Sequence, residues 1–153
     1  MRGVGTIRRG FSLVELVVVV MILGILAAIA APRMLGTSLR ATDGTARQSL
    51  SVIREAIDQY AAEHWGALPG DNGDEFMFKA DLYGYLRGAD FPICPAGEAK
   101  NNRVLIDVGT GSLSVGTGGT AATHSWIYQY KTGEFRINST ATTTDTLNTY
   151  DEY

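Results

Sequence analysis

The sequence predicts an α+β protein: one long N-terminal α-helix, its first half transmembrane, packed on a small antiparallel β-sheet. Three observations lead there. Phe11 to Ala31 is an apolar run interrupted only by Ser12, Glu15 and Gly24. Apolar residues then recur at helical spacing as far as Ala61. Far downstream, two β-rich runs, 125–130 and 134–138, flank a glycine turn.

As a helix, Phe11 to Ala31 covers a hydrocarbon core of about 30 Å at about 1.5 Å per residue. Arg2, Arg8 and Arg9 precede it with no acid among them, so the leader is expected to stay in the cytoplasm and the rest of the chain to be exported. Glu15 is the anomaly. A carboxylate in a spanning helix costs at least about 2.5 kcal/mol, so its partner has to be named. No Lys, Arg or His lies between Phe11 and Ala31. A cut between Gly10 and Phe11 would create an α-ammonium four residues before Glu15, able to neutralise the Glu15 of a neighbouring copy.

Past Pro32 the pattern turns amphipathic, with Leu35, Leu39, Ala46, Leu50, Ile53, Ile57, Tyr60 and Ala61 on one face. One helix is therefore expected to reach about Trp65. Pro32 removes a backbone donor and should kink it, Gly24 weakens it by about 1 kcal/mol relative to Ala, and Thr42-Asp43-Gly44 is a second soft point. Arg33, Arg40, Arg47 and Arg54 recur every seven residues and form a slowly drifting stripe. It serves as a solvated face, or as a row meeting Glu55, Asp58 or Glu63 of neighbouring copies. Gly66 is the expected C-cap, and Pro69 prevents the helix from resuming.

The remainder is expected to form a small head. Glu75 to Leu86 predicts a short helix and Asn102 to Val108 a strand. The Gly-, Ser- and Thr-rich loop from Gly109 to Gly119 lacks a Gly-Lys-Ser/Thr ending, which excludes a P-loop. Lys131-Thr132-Gly133 then joins the two hairpin strands. Trp126, Tyr128 and Tyr130 share one face by period two, as do Phe135 and Ile137, and that face should lie on the long helix. The Thr-rich tail holding Asp145, Asp151 and Glu152 is expected to be loose or to wrap the sheet edge.

Chemistry is sparse. Removing residues 1–10 takes away three arginines and no acid, so the formal charge moves from −3 to −6. That gives no footprint for nucleic acid. Cys94 has no possible partner in its own chain, and its apolar setting, Phe91-Pro92-Ile93-Cys94-Pro95, predicts a packed thiol. With two histidines, His64 and His124, no zinc site is expected. Asp71-Asn72-Gly73-Asp74-Glu75 lacks the plan of an EF-hand loop and reads as a solvated turn. Asn138-Ser139-Thr140 matches a glycosylation sequon. No catalytic constellation is present, and the chain is expected not to be an enzyme.

Gly10-Phe11-Ser12-Leu13-Val14-Glu15, followed by Gly24 and Pro32, resembles the class III signal of type IV prepilins and of the pseudopilins of type II secretion. The resemblance implies a pilin-like fold, cleavage after Gly10 by a prepilin peptidase, N-methylation of Phe11, and a role for Glu15 in adding subunits to a filament. Gly24 and Pro32 would permit loss of helicity within it. The implied organisation is a leader (1–10), a transmembrane assembly half (11–32), an amphipathic half (33–66) and a globular head (67–153). The implied partners are copies of the chain, other pseudopilins or pilins, an inner-membrane assembly platform and membrane lipid. The location is the bacterial inner membrane, single-pass, with the C-terminal domain in the periplasm or outside.

Tyr60, Gly66 and Leu68-Pro69 are similar to the signature that ends the long helix of major pseudopilins, with Leu68 in place of an aromatic. The absent disulfide favours pseudopilins over type IV pilins. The family often holds calcium in a C-terminal loop, where Asp145 or Asp151 would contribute, although no motif fixes the ligands and no other cofactor is implied. Two competing readings are weaker. Ala28-Ile29-Ala30 would serve an ordinary signal peptide, but the apolar run exceeds the usual ~7–15 residues and contains Glu15. A plain signal anchor leaves Glu15 unexplained. A tethered binding domain or enzyme is a third possibility, predicting a monomer with an activity of its own.

Overall fold

The computed structural model describes residues 11–153 apart from 71, 72, 89 and 146, with no side chains for 32–35, 117 and 118. Gly10 and the basic leader, and Asp71 and Asn72, lie outside the described residues. Two compact units are present, one ending at Ser38 and the other running from Leu39 to Tyr153.

Helix α1, Leu13–Glu63, is one helical element assigned through Gly24, Pro32 and Gly44. In the first unit it is apolar enough over 18 residues to cross a membrane, and none of that stretch is buried. In the second unit its inner face is Ala46, Leu50, Ile53, Ala56 and Ile57, none more than 2 % exposed. Leu39, expected on that face, is 57 % exposed, so the covered stripe starts later than the periodicity suggested.

The helix ends in a Schellman turn. The Gly66 N–H donates to the Ala61 carbonyl at 2.8 Å, and Trp65 and Gly66 both take positive φ, 58° and 87°. The first left-handed residue is therefore Trp65, with the expected cap, Gly66, one place later. A left-handed conformation costs an L-residue about 1–2 kcal/mol, which is why glycine is usual there.

Helix α2, Glu75–Leu82, is shorter than the sequence suggested. It starts at Asp74, whose side chain accepts from the Phe76 N–H at 2.7 Å, and it buries Phe78 and Leu82. The sheet has three strands in sequence order: β1 Val104–Asp107, β2 Trp126–Gln129 and β3 Glu134–Ile137. β2 and β3 form the expected antiparallel hairpin, with Tyr128 opposite Phe135. β1 runs parallel to β2, with Val104 opposite Trp126, so the sheet is mixed rather than wholly antiparallel. The intervening loop, which includes a 3-10 turn at Thr117–Ala122, is long enough for the crossover that parallel pairing requires.

Trp126, Tyr128, Phe135 and Ile137 are buried with the inner face of α1 and with Phe78, Leu82 and Phe91 in one core. The Phe78 and Tyr128 ring centroids are 4.3 Å apart, and the Trp126 Nε1–H donates to the Pro92 carbonyl at 3.0 Å. Ile127 and Gln129 are buried as well, so β2 is covered on both faces. Gln129 Nε2 donates to the Gly109 carbonyl at 3.5 Å and also to Gly111, which seats the Gly-rich loop on the outer face. Gly133, at φ 76°, closes the hairpin where a Cβ would come within 3.0 Å of Leu68 Cδ2. Both its conformation and its packing require glycine.

Candidate functional site: the two halves of the long helix

The first half of α1 presents an apolar surface carrying one carboxylate. Ser12 supplies the first helical acceptor, its carbonyl taking the Leu16 N–H at 3.2 Å. Glu15 stands in the first turn, exposed, just after Phe11 at 81 % exposure. Val17, Val18, Val19 and Val20 continue the exposed surface. A Cβ added at Gly24 would meet nothing within 4 Å, so the backbone is open to close approach by another helix. Of Pro32 only its place within the helix is described. The Phe11–Glu15 segment and Gly24 are thus all accessible to a second molecule, and Gly10 lies outside the described residues.

The second half is fastened to the chain's own tail, which returns along it as a strap. Asp43, only 6 % exposed, is the key. Its Oδ2 accepts from the Thr144 N–H at 2.9 Å and from the Thr144 hydroxyl, and its Oδ1 accepts from the Tyr150 hydroxyl. Burial opposes ionisation of Asp43, but these hydrogen bonds and the nearby Arg47 outweigh it and hold the carboxyl below its ordinary range. Burial and the bond to Asp43 push the Tyr150 hydroxyl in the opposite direction. Farther along, Arg47 donates to the Tyr153 hydroxyl, lies 3.9 Å over the Tyr153 ring, and pairs with Asp145 at 3.6 Å. Arg54 donates to the Tyr153 carbonyl at 2.6 Å and to the Phe135 carbonyl at 3.0 Å. The tail closes on itself through a Thr142–Thr149 bridge and a capping box between Thr149 and Glu152.

This changes the meaning of the arginine stripe. Arg47 and Arg54 serve the chain's own tail, Arg40 is exposed, and the side chain of Arg33 is not described. The tail is ordered by the helix rather than loose, and it also meets β3. From the sequence Asp43 figured only in a soft point of the helix, although a signal for more existed: it falls on the apolar stripe three residues before Ala46 and seven before Leu50, where a lone acid needs a buried partner.

Other sequence candidates resolve into structural parts. Cys94 is wholly buried, and burial pushes its thiol up to about 11. Asn138, 1 % exposed, donates to the His124 carbonyl at 3.0 Å and accepts from the Gly116 N–H at 2.8 Å, so the sequon asparagine is an internal tie rather than an attachment site. His64 stacks on Tyr60 with centroids 3.9 Å apart. Among the described residues, no three His, Cys, Asp or Glu are grouped to hold a metal ion.

The described residues thus comprise a membrane-length apolar helix with one exposed acid in its first turn, and a head built on a three-stranded sheet. The model of the prokaryotic N-terminal methylation motif matches residues 6–31. The chain is 26 % identical to a type II secretion system core protein G of Escherichia coli K12, over 67 % of this chain and 74 % of that one. It is 34 % identical to a protein of the same name from Pseudomonas aeruginosa, over 47 % of this chain and 51 % of that one. It is also 37 % identical to a fimbrial protein of Neisseria meningitidis serogroup B, over 44 % of this chain and 39 % of that one. The chain spans about half or less of the latter two relatives. No solved structure matches. The matched motif and these relatives support a pilin-like, pseudopilin reading of the chain.

Proposed function

We propose that the chain is a structural subunit of a type II secretion pseudopilus, anchored in the bacterial inner membrane by the first half of α1 and polymerising through that half. A prepilin peptidase cuts after Gly10, Phe11 becomes the methylated N-terminus, and an assembly platform adds subunits while the head stands in the periplasm. The observation that carries this is the exposed Glu15 on an otherwise apolar, uncovered helix. Such a surface is completed by lipid and by other copies. The ammonium created at Phe11 supplies the charge that Glu15 lacks, and leaving one member of a buried pair alone costs about 3–5 kcal/mol. A type IV pilus subunit shares this half of the molecule, and the similarity to the fimbrial protein favours that second reading.

The test is Glu15→Ala co-expressed with the native chain. Cleavage after Gly10 should proceed in both, as read by N-terminal sequencing, and crosslinking should find the variant largely missing from native filaments. Equal incorporation would overturn the charge-pairing account, and a mature start at Ala31 would overturn the filament reading altogether.

A further inference from the structure

We propose that Trp65 of one copy seats in an apolar groove on the head of the next copy, a contact made only within the assembled filament. The inference rests on the filament reading above and adds a second, head-to-head contact to the helical one. Trp65 is an outlier in two respects. Its backbone is left-handed, where a bulky residue is rare, and its side chain is 102 % exposed. Glycine would relieve both, and among the described residues none covers the indole to offset them.

The groove has about 420 Å3 of space and is lined by Phe76, Lys79, Ala80, Tyr83, Leu86 and Phe91, among others. Helix α2 buries Phe78 and Leu82 on its inner side, so Phe76 at 75 % exposure, with Tyr83 just beyond the helix at 64 %, forms apolar surface that the head's own core does not use. Lys79 Nζ stands 5.5 Å from the Phe91 ring centroid. An indole entering there would meet a cation held beside an aromatic wall, and indole is the side-chain ring that attracts a cation best.

The occupant is a second copy for two reasons. A filament repeats a heterologous contact, which needs two different, complementary patches on every subunit and does not close on itself. Knob and groove are such a pair. The contact is also too small to act alone: an aromatic ring buries about 150–250 Å2, against about 800 Å2 per partner in a stable interface. It therefore works only between copies already concentrated by their membrane helices.

The full-length double variant W65C/Y83C, with the buried Cys94 left in place, carries both halves of the contact on each chain. Mild oxidation of its filaments should give a ladder of covalent multimers, whereas W65C alone or Y83C alone cannot pass beyond a dimer. Filaments that form normally and give no ladder, or that link Tyr83→Cys to a different protein, overturn the inference and leave the filament reading standing. A native chain that forms no filament removes both. As a second measure, W65G should keep or raise the Tm of the detergent-solubilised full chain while lowering filament yield roughly tenfold or more, and W65F should restore most of it. Equal yields from W65G and the native chain overturn the proposal.

Discussion

From Leu13 to Ile29 the large apolar side chains of α1 are 44–77 % exposed, whereas Ala46, Leu50, Ile53, Ala56 and Ile57 on the same helix are at most 2 % exposed. The two stretches differ less in how apolar they are than in where their partners lie. The second finds its partners in the chain itself: the hairpin, α2 and the tail. The first is left uncovered by the described residues, and under the function proposed above lipid and other copies would cover it. A substitution in one half should therefore register as lost folding and in the other as lost assembly.

The largest expected effect on folding is at Trp126. Trp126→Ala removes a fully buried ring and its hydrogen bond to Pro92, and should destabilise the head by about 3–5 kcal/mol, read by thermal unfolding of the full chain in detergent. An unchanged Tm would mean that the core does not depend on the hairpin. Next is Asp43→Ala. It leaves the buried Tyr150 hydroxyl and the Thr144 N–H without their acceptor and should cost about 2 kcal/mol. Amide exchange in 141–150 should accelerate before that in β2 and β3, and simultaneous acceleration of both would make the tail an integral part of the core.

Acid sharpens the same point. Because the folded carboxyl of Asp43 sits below its ordinary range, its contribution is complete above about pH 4, the unfolded value, and fades as the pH falls through the folded one. Glu75 is shifted the same way: burial works against ionisation, but Lys79 and the Val104 N–H prevail. The native head should therefore lose Tm below pH 4, and the Tm gap between native and Asp43→Asn chains should narrow there. A gap that widened on acidification would reverse the assigned sign. The smallest effect belongs to the membrane half, where Leu23→Ala should change head unfolding by no more than about 0.5 kcal/mol. A larger change in Tm would mean that Leu23 has a partner within its own chain.

Legibility in the sequence followed the range of the interactions. The hairpin could be read because a glycine turn sits between two runs of alternating large apolar residues, all of it local; β2 and β3 fall inside the expected runs. The apolar first half, too, was legible from composition. β1 could be placed but not its direction, since parallel pairing depends on a connection that carries no strand pattern. The tail could be read only as loose or as wrapping the sheet edge, because Thr143, Thr144 and Asp145 look like any polar segment; it is ordered and meets the edge strand β3. What orders them is Asp43, about a hundred residues earlier, and a pair so separated leaves no local pattern. Trp65 was expected only as the last residue of the helix, because Gly66 beside it offered the ordinary cap.

Both outer strands of the sheet are fastened by a charged side chain from a helix. Glu75 of α2 accepts the outward Val104 N–H of β1 at 2.9 Å, and Arg54 of α1 donates to the outward Phe135 carbonyl of β3. Unpaired edge groups of this kind are the template for strand-to-strand aggregation. A protein crowded by design against its own copies would be especially exposed to that error. With one outward group on each edge already taken, cross-β growth would first have to pull Glu75 or Arg54 away.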